Sequence, residues 1–245
     1  MLITPGGRQK MQSDLARYAL FQNDSIQSVT LLKTQGFCNE NYLIQTITKK
    51  YLLRKFKLEN NRKREFKVQQ LAYKKNIAAK PWLLDEENGL MICDFIEGDH
   101  KEKLNKQDLA QLSNLLQKLH KIKIRQTPID LKKSFTSHSK DLRKAFQTIQ
   151  RYKVENVLCH NDLNLKNILF SGKKIKFIDW EFATVNDRYF DLACVCVECD
   201  LNKKDETYFL ERYFGRRMKA NQDKFKAYKH IYKALCLQWF EALEK

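Results

Sequence analysis

Two short apolar runs, VLC at 157–159 and ILF at 168–170, bracket a polar loop carrying His160, Asp162 and Asn167, and a third run, KFI at 176–178, delivers Asp179 directly after it. Runs this short read as strands of a hairpin, with Gly172 to Lys174 as its basic turn, so the two acids and the amide fall at strand ends instead of being scattered through a flexible segment. A chain built this way must spend its remaining length on elements that hold that loop still.

The rest of the sequence supplies such elements. From Val29 to Phe56, VTLLKTQGFCNENYLIQT and KKYLLRKF read as two or three β-rich segments of a small antiparallel sheet, with a turn at Lys49-Lys50. Asn61 to Lys75 has a helical pattern that ends by Ile77 to Pro81, and residues 89 to 98, GLMICDFIEG, read as a buried strand between two glycines. Leu109, Leu112, Leu115, Leu116 and Leu119 recur at three- and four-residue spacing, the stripe of an amphipathic helix. A second helix is expected over Ser139 to Tyr152, and the chain from Phe190 onward is mostly helical. Strands therefore dominate the first 95 residues and helices the remainder. The expected architecture is α+β and bilobal, with lobes at 1–97 and 98–245 and a cleft between them to hold a ligand.

The loop residues suit phosphoryl transfer from ATP to an alcohol, which requires a carboxylate beside the acceptor O–H, hard oxygen ligands for Mg²⁺ and positive charge on the phosphates. Asp162 can accept the alcohol's proton. Asn167 and Asp179 offer a neutral and an anionic oxygen to the metal, and His160 braces the loop.

HNDLNLKNIL followed by FIDWEFA resembles the catalytic and metal motifs of the aminoglycoside phosphotransferase and choline kinase superfamily, which has a protein-kinase-like fold. IDWEFATVNDRYFDLA is most similar to the bacterial choline kinase branch, and the resemblance runs from about residue 30 to 240. It implies that QGFCNENYLI is a phosphate loop, with Gly36 and Asn39 over the phosphates and Cys38 standing where the family usually has Thr. Arg54 alternates with Leu52 and Phe56, so it points inward and Lys55 outward. The resemblance makes Arg54 the phosphate-contacting cation, with Glu65 on the next helix as its ion-pair partner; a surface pair of little energetic value is the alternative. It also puts the backbone of Asp94 and Ile96 against adenine.

For the acceptor, the resemblance aligns the choline-binding Glu with Glu198 and a pocket Trp with Trp239, while core packing of a terminal helix stays open for Trp239. A quaternary ammonium has no hydrogen-bond donors and is recognised by aromatic faces and a carboxylate. Asp191 would cap or brace the catalytic loop, and Tyr189 and Tyr208 are further aromatic candidates. The implied activity is an ATP- and Mg²⁺-dependent choline kinase, with ethanolamine, thiamine or an aminoglycoside as alternative acceptors.

The net charge of +17 comes from 34 lysines and 12 arginines against 29 acids. Nucleic-acid surfaces favour clustered Arg. Spread lysine instead reads as a solvated basic surface, and no nucleic-acid partner is expected. Seven cysteines without a secretory-type leader predict a reducing cytoplasm. Cys194 and Cys196 point about 200° apart on a helix, so with Cys199 they read as buried thiols and not a metal site.

Overall fold

The computed structural model describes residues 5–33, 35, 38–172, 174–215 and 220–243. The chain divides into two compact units, Met1–Tyr73 with Ala78–Glu97, and Lys74–Ile77 with Gly98–Lys245.

The first unit is a five-stranded antiparallel sheet in the order β1-β2-β3-β5-β4, formed by β1 (Ile26–Leu31), β2 (Asn39–Thr46), β3 (Lys50–Phe56), β4 (Pro81–Asp85) and β5 (Leu90–Asp94). Strand alternation gives β3 two faces. Leu53 pairs with Ile92 on one face, and Arg54 pairs with Met91 on the other. The Leu53 face carries Tyr42, Ile44, Tyr51, Leu90 and Ile92 into a core closed by Leu15, Phe21, Ile26 and Val29. Helix α2 (Arg62–Lys74) buries Glu65, Val68 and Ala72.

Two of these elements escaped the sequence reading. Helix α1 (Pro5–Ala16) starts on Pro-Gly-Gly and has only Met11 and Leu15 as aliphatic positions at helical spacing, so its pattern is faint. It is held by Leu15 in the core and by Gln12 Nε2 donating to Ile26 O at 2.7 Å. Strand β4 begins at Pro81, where the helical pattern was read as ending, and runs through a stretch to which no element was assigned. Its Trp82 Nε1 donates to Asp94 Oδ1 at 2.6 Å, and β5 supplies the pairing that a single-sequence pattern does not contain.

The second unit is built on helices α3 (Lys106–His120), α4 (Lys140–Ile149), α5 (Arg188–Glu198), α6 (Lys203–Phe214) and α7 (Gln222–Leu243). Asn105 and Asp108 form a reciprocal capping box at the start of α3, whose five stripe leucines are all buried. Asp187 caps α5 through the Tyr189 N–H at 3.0 Å. Two small ribbons carry the polar loop: β7 (Ile168–Ser171) pairs with β8 (Lys174–Phe177), and β6 (Asn156–Cys159) pairs with β9 (Thr184–Asp187). The β7–β8 hairpin matches the sequence expectation; β9, 25 residues downstream of its partner in register, was not foreseen.

Gly98 opens this unit where its backbone passes β7. A Cβ there would lie 2.5 Å from the Phe170 carbonyl oxygen, next to the Asp99–Phe170 bridge. Gly98→Ala is therefore expected to destabilise the protein by about 1–3 kcal/mol through overpacking, readable as a lowered midpoint in urea; an unchanged midpoint would show that the backbone yields freely.

Candidate active site

The loop from His160 to Asn167 is fixed by its own amides. Asn164 accepts from the N–H groups of Lys166 and Asn167 at 2.9 and 3.2 Å, which starts a single 3-10 turn over Leu165–Asn167. Its Nδ2 donates to Asp162 Oδ1 at 3.0 Å, while Asn167 Nδ2 donates to Asp162 Oδ2 at 2.7 Å and to the Asp162 carbonyl at 2.9 Å. Both carboxylate oxygens of Asp162 are thereby oriented. Asn167 Oδ1 receives no hydrogen bond from the described residues, so the amide presents it as a ligand oxygen.

Asp179 is brought to the same place through the Ile178 peptide. Ile178 N–H donates to the Asn167 carbonyl at 3.1 Å, and its own carbonyl accepts from His160 Nε2 at 3.0 Å. Asp179 follows at φ 62°, a left-handed conformation uncommon for a non-glycine residue and frequent at functional turns. Burial pushes the Asp162 carboxyl above the ordinary carboxylate range, and the charge of Asp179 adds to the rise; the His160 ring and the two amides oppose it. His160 is fully buried, its ring 4.7 Å from Trp180. Its contacts tie the loop to the Ile178 peptide and to Trp180.

A second layer holds the first. Asp191, fully buried near the start of α5, accepts from the N–H of His160 at 2.9 Å through Oδ2 and from the N–H of Asn161 at 2.8 Å through Oδ1. Oδ2 also meets His120 Nε2 at 3.1 Å, and His120 Nδ1 lies 2.6 Å from the Tyr213 hydroxyl. Asn161 itself sits at φ 67°. A carboxylate bonded to two consecutive loop N–H groups fixes the direction in which Asp162 leaves the chain.

Glu198 ends α5. Its Oε1 accepts from the Tyr232 hydroxyl at 2.9 Å and lies 3.8 Å from Cys236 Sγ. Cys194 Sγ accepts from the Leu163 N–H at 3.1 Å, one residue beyond Asp162. Burial raises both thiols, Cys236 to about 11 and Cys194 well above its ordinary value, and the charges of Asp162 and Glu198 add to both rises. The two carboxylates thus act on the same pair of sulfurs. Tyr232, Cys236 and Trp239 follow at i, i+4 and i+7 on α7, one helical stripe. Trp239 is 45% exposed and edge-on to Phe240, so it is not core packing.

In the first unit, Arg54 is 5% and Glu65 1% exposed, and Arg54 Nη1 donates to Glu65 Oε1 at 2.5 Å. The surface-pair alternative is therefore wrong. Arg62 Nη1 donates to the other oxygen of Glu65 at 2.7 Å, and Asn39, its amide oxygen turned toward Arg54, accepts from Nη2 at 2.7 Å. Asn39 thus reaches Arg54 directly. The Asp94 N–H is taken by the Lys80 carbonyl at 2.8 Å, while that of Ile96 has no acceptor among the described residues. Of the two residues expected against adenine, only Ile96 offers an N–H; Asp94 could contribute its carbonyl. Gly36 lies outside the described residues.

Residues 34–228 match the model of the phosphotransferase enzyme family. The chain belongs to that family. This phosphotransferase is 27% identical over 225 residues to Protein LicA of Haemophilus influenzae, an alignment covering 81% of the chain and 66% of LicA, so the chain spans just under two thirds of that relative. It superposes on the crystal structure of choline kinase LicA from Streptococcus pneumoniae with a TM-score of 0.78 at 22% identity, covering 95% and 89% of the two chains. A crystal structure of LicA in complex with AMP gives 0.74 at 24%, covering 95% and 88%. The shared architecture is the α+β kinase-like fold.

Several features of the phosphotransferase were not read from its sequence. His120, set aside as a structural or exposed residue, and Tyr213 form the support behind Asp191. Tyr189, an aromatic candidate for the acceptor, is instead a structural residue: it is buried, its hydroxyl accepts from the Asn221 N–H at 2.9 Å, and Lys224 lies over its ring at 4.5 Å. Tyr208, the other candidate, has the ammonium of Lys106 5.7 Å from its ring. Among the described residues, His120, Cys159 and Asp191 are close enough to share a metal. Hydrogen bonds occupy them, however, and burial drives the Cys159 thiol well above its ordinary value, against thiolate formation. Cys194, Cys196 and Cys199 are all buried. No described helix is long and apolar enough to cross a membrane.

Proposed function

We propose that this phosphotransferase moves the γ-phosphate of ATP to the hydroxyl of a small amino alcohol, with choline as the acceptor its chemistry fits best. The observation that carries the reading is that helix α5 links the two ends: its Cys194 Sγ accepts from the N–H of Leu163, next to Asp162, and its Glu198, one turn further on, meets Tyr232 and Cys236. An acceptor with a hydroxyl at one end and a cation at the other suits Asp162 and Glu198. Asp162 takes the hydroxyl proton as the oxygen attacks phosphorus. Glu198 offers its charge to the ammonium, and Tyr232 and Trp239 offer ring faces, each cation–π contact being worth ~0.5–2 kcal/mol. LicA of known structure is named a choline kinase, and LicA has been crystallised with AMP, which supports both acceptor and nucleotide.

Asp179 and Asn167 are the residues that would hold Mg²⁺. Their donors are oxygens, Asn167 Oδ1 receives no hydrogen bond from the described residues, and the mutual charge of Asp162 and Asp179 is of the kind a divalent cation relieves. The ion would supply charge neutralisation on the phosphate oxygens. Arg54, held by Glu65 and Asn39, contributes a fixed cation to the nucleotide phosphates, with Ile96 N–H and Asp94 C=O as the adenine contacts.

ADP release measured across choline, ethanolamine, thiamine and an aminoglycoside tests the assignment. Choline is expected to give the highest kcat/KM, and Glu198→Gln to raise the choline KM by roughly tenfold, equivalent to ~1.4 kcal/mol, with little change in kcat. A higher kcat/KM for any other acceptor would overturn the assignment.

A further inference from the structure

A cavity of about 270 Å³ lies between helix α1 and the Leu53 face of the sheet, just under the range for ligand pockets. It belongs wholly to the first unit and is on the opposite face of β3 from Arg54. Its floor is apolar, supplied by the buried Leu15, Leu53 and Leu90. Its wall carries three cations, Lys10, Arg17 and Lys55, against one acid, Asp14, and none of the three is ion-paired among the described residues. Lys55 does not simply point to solvent, as strand alternation suggested; it is half-buried against this cavity.

Asp85, beside the lining residue Tyr18, is already committed. It accepts from the Tyr18 hydroxyl at 2.6 Å and from the N–H and Nδ2 of Asn88 at 2.9 and 2.7 Å, so both of its oxygens are engaged. The Arg17 guanidinium rests 5.9 Å from the centre of the Tyr18 ring. Three cations around an apolar floor, two of them the exposed Lys10 on α1 and Arg17 just after it, in a space large enough for a short chain or a single ring, are the complement of an amphipathic anion.

We propose that this cavity is a second ligand site that takes a small amphipathic anion, its phosphate or carboxylate head against Lys10, Arg17 and Lys55 and its apolar body on Leu15, Leu53 and Leu90. The ligand would stabilise the packing of α1 on the sheet without entering the Arg54 face.

Hexyl phosphate is a suitable probe, titrated calorimetrically into the full chain. One saturable equivalent is expected at this site. Hexylammonium and inorganic phosphate, which lack the head charge and the body respectively, should each bind at least tenfold more weakly. The double variant Lys10→Glu, Arg17→Glu should lower hexyl phosphate affinity at least tenfold. Lys55→Met, which removes one charge without reversing it, should lower affinity severalfold and serves if the double variant fails to fold. Absence of saturable binding would overturn the proposal, as would equal affinity in the folded variants or inorganic phosphate binding as tightly as hexyl phosphate.

Discussion

Asp162→Ala is expected to lower kcat by about 10²- to 10⁴-fold, the range associated with a positioned general base, while AMP affinity changes by no more than a few-fold. Asp162 lies in the second unit, whereas Arg54, Asn39 and Ile96, the nucleotide contacts proposed here, lie in the first. Loss of the base should therefore separate turnover from nucleotide binding. The conservative Asp162→Asn adds a stability readout that a merely structural aspartate would not give. Burial and the Asp179 charge raise the folded-state pKa of Asp162. A carboxyl with a raised folded pKa favours folding when protonated, and that contribution disappears as pH climbs through the folded value. At neutral pH the ionised group is thus a net burden on the fold. The neutral amide lifts that burden but turns an NH₂ group toward Asn164 or Asn167 Nδ2, so the prediction concerns the pH dependence: the melting temperature of Asp162→Asn relative to the parent should rise as pH climbs through the folded value, and this gain is absent below the ordinary carboxylate value of about 3.9. Kinetics, AMP titration and thermal melts on the two variants check all three statements. An Asp162→Ala enzyme with undiminished turnover would overturn the assignment of Asp162 as the base.

The parts of this site that were legible share one property: their residues are close in sequence and their chemistry is distinctive. His160, Asp162, Asn167 and Asp179 fall within 20 residues, and the apolar runs around them have the period of strands, so both the loop and the hairpin could be read together. Arg54 and its partner Glu65 were legible through the family resemblance; alternation separated Arg54 from Lys55 but did not identify the Leu53 side as the core face. What escaped was contact between distant positions of ordinary type. Asp191 was recognisable as a brace, but nothing in the stretch around His120 announces that its ring lies 71 residues from its partner, and Tyr213 stands 93 residues from His120. Helix α1 carries too few apolar residues to advertise a face, yet the Leu53 side of the sheet requires a cover. Lys55 illustrates the same limit: alternation separated it from Arg54 but sent it outward, because the helix that covers its face was invisible.

The Asp191 brace carries the second large effect. Asp191→Asn keeps the shape but replaces one acceptor oxygen with a donor, so either the His160 or the Asn161 N–H, both buried against it, faces an NH₂ group. Breaking a buried, charged hydrogen-bond network of this kind typically costs about 3–5 kcal/mol. For a chain of this size, at ~2–4 °C per kcal/mol, that corresponds to a melting temperature lowered by roughly 6–20 °C. Turnover should fall as well, by about 10²-fold, because a displacement near 1 Å of a catalytic group is enough to lose that much. These two losses have different origins, and a double-mutant cycle separates them. Asp191 touches no reacting atom; it acts by aiming Asp162. In an Asp162→Ala background, where no base remains to be aimed, Asp191→Asn should lower residual turnover by less than threefold while still taking its full toll on stability. Activity measured at a temperature where every variant is folded makes the comparison fair. If Asp191→Asn reduced turnover by the same factor with and without Asp162, the loop would be serving some step other than proton removal, and Asp191 would not be a positioning residue for the base.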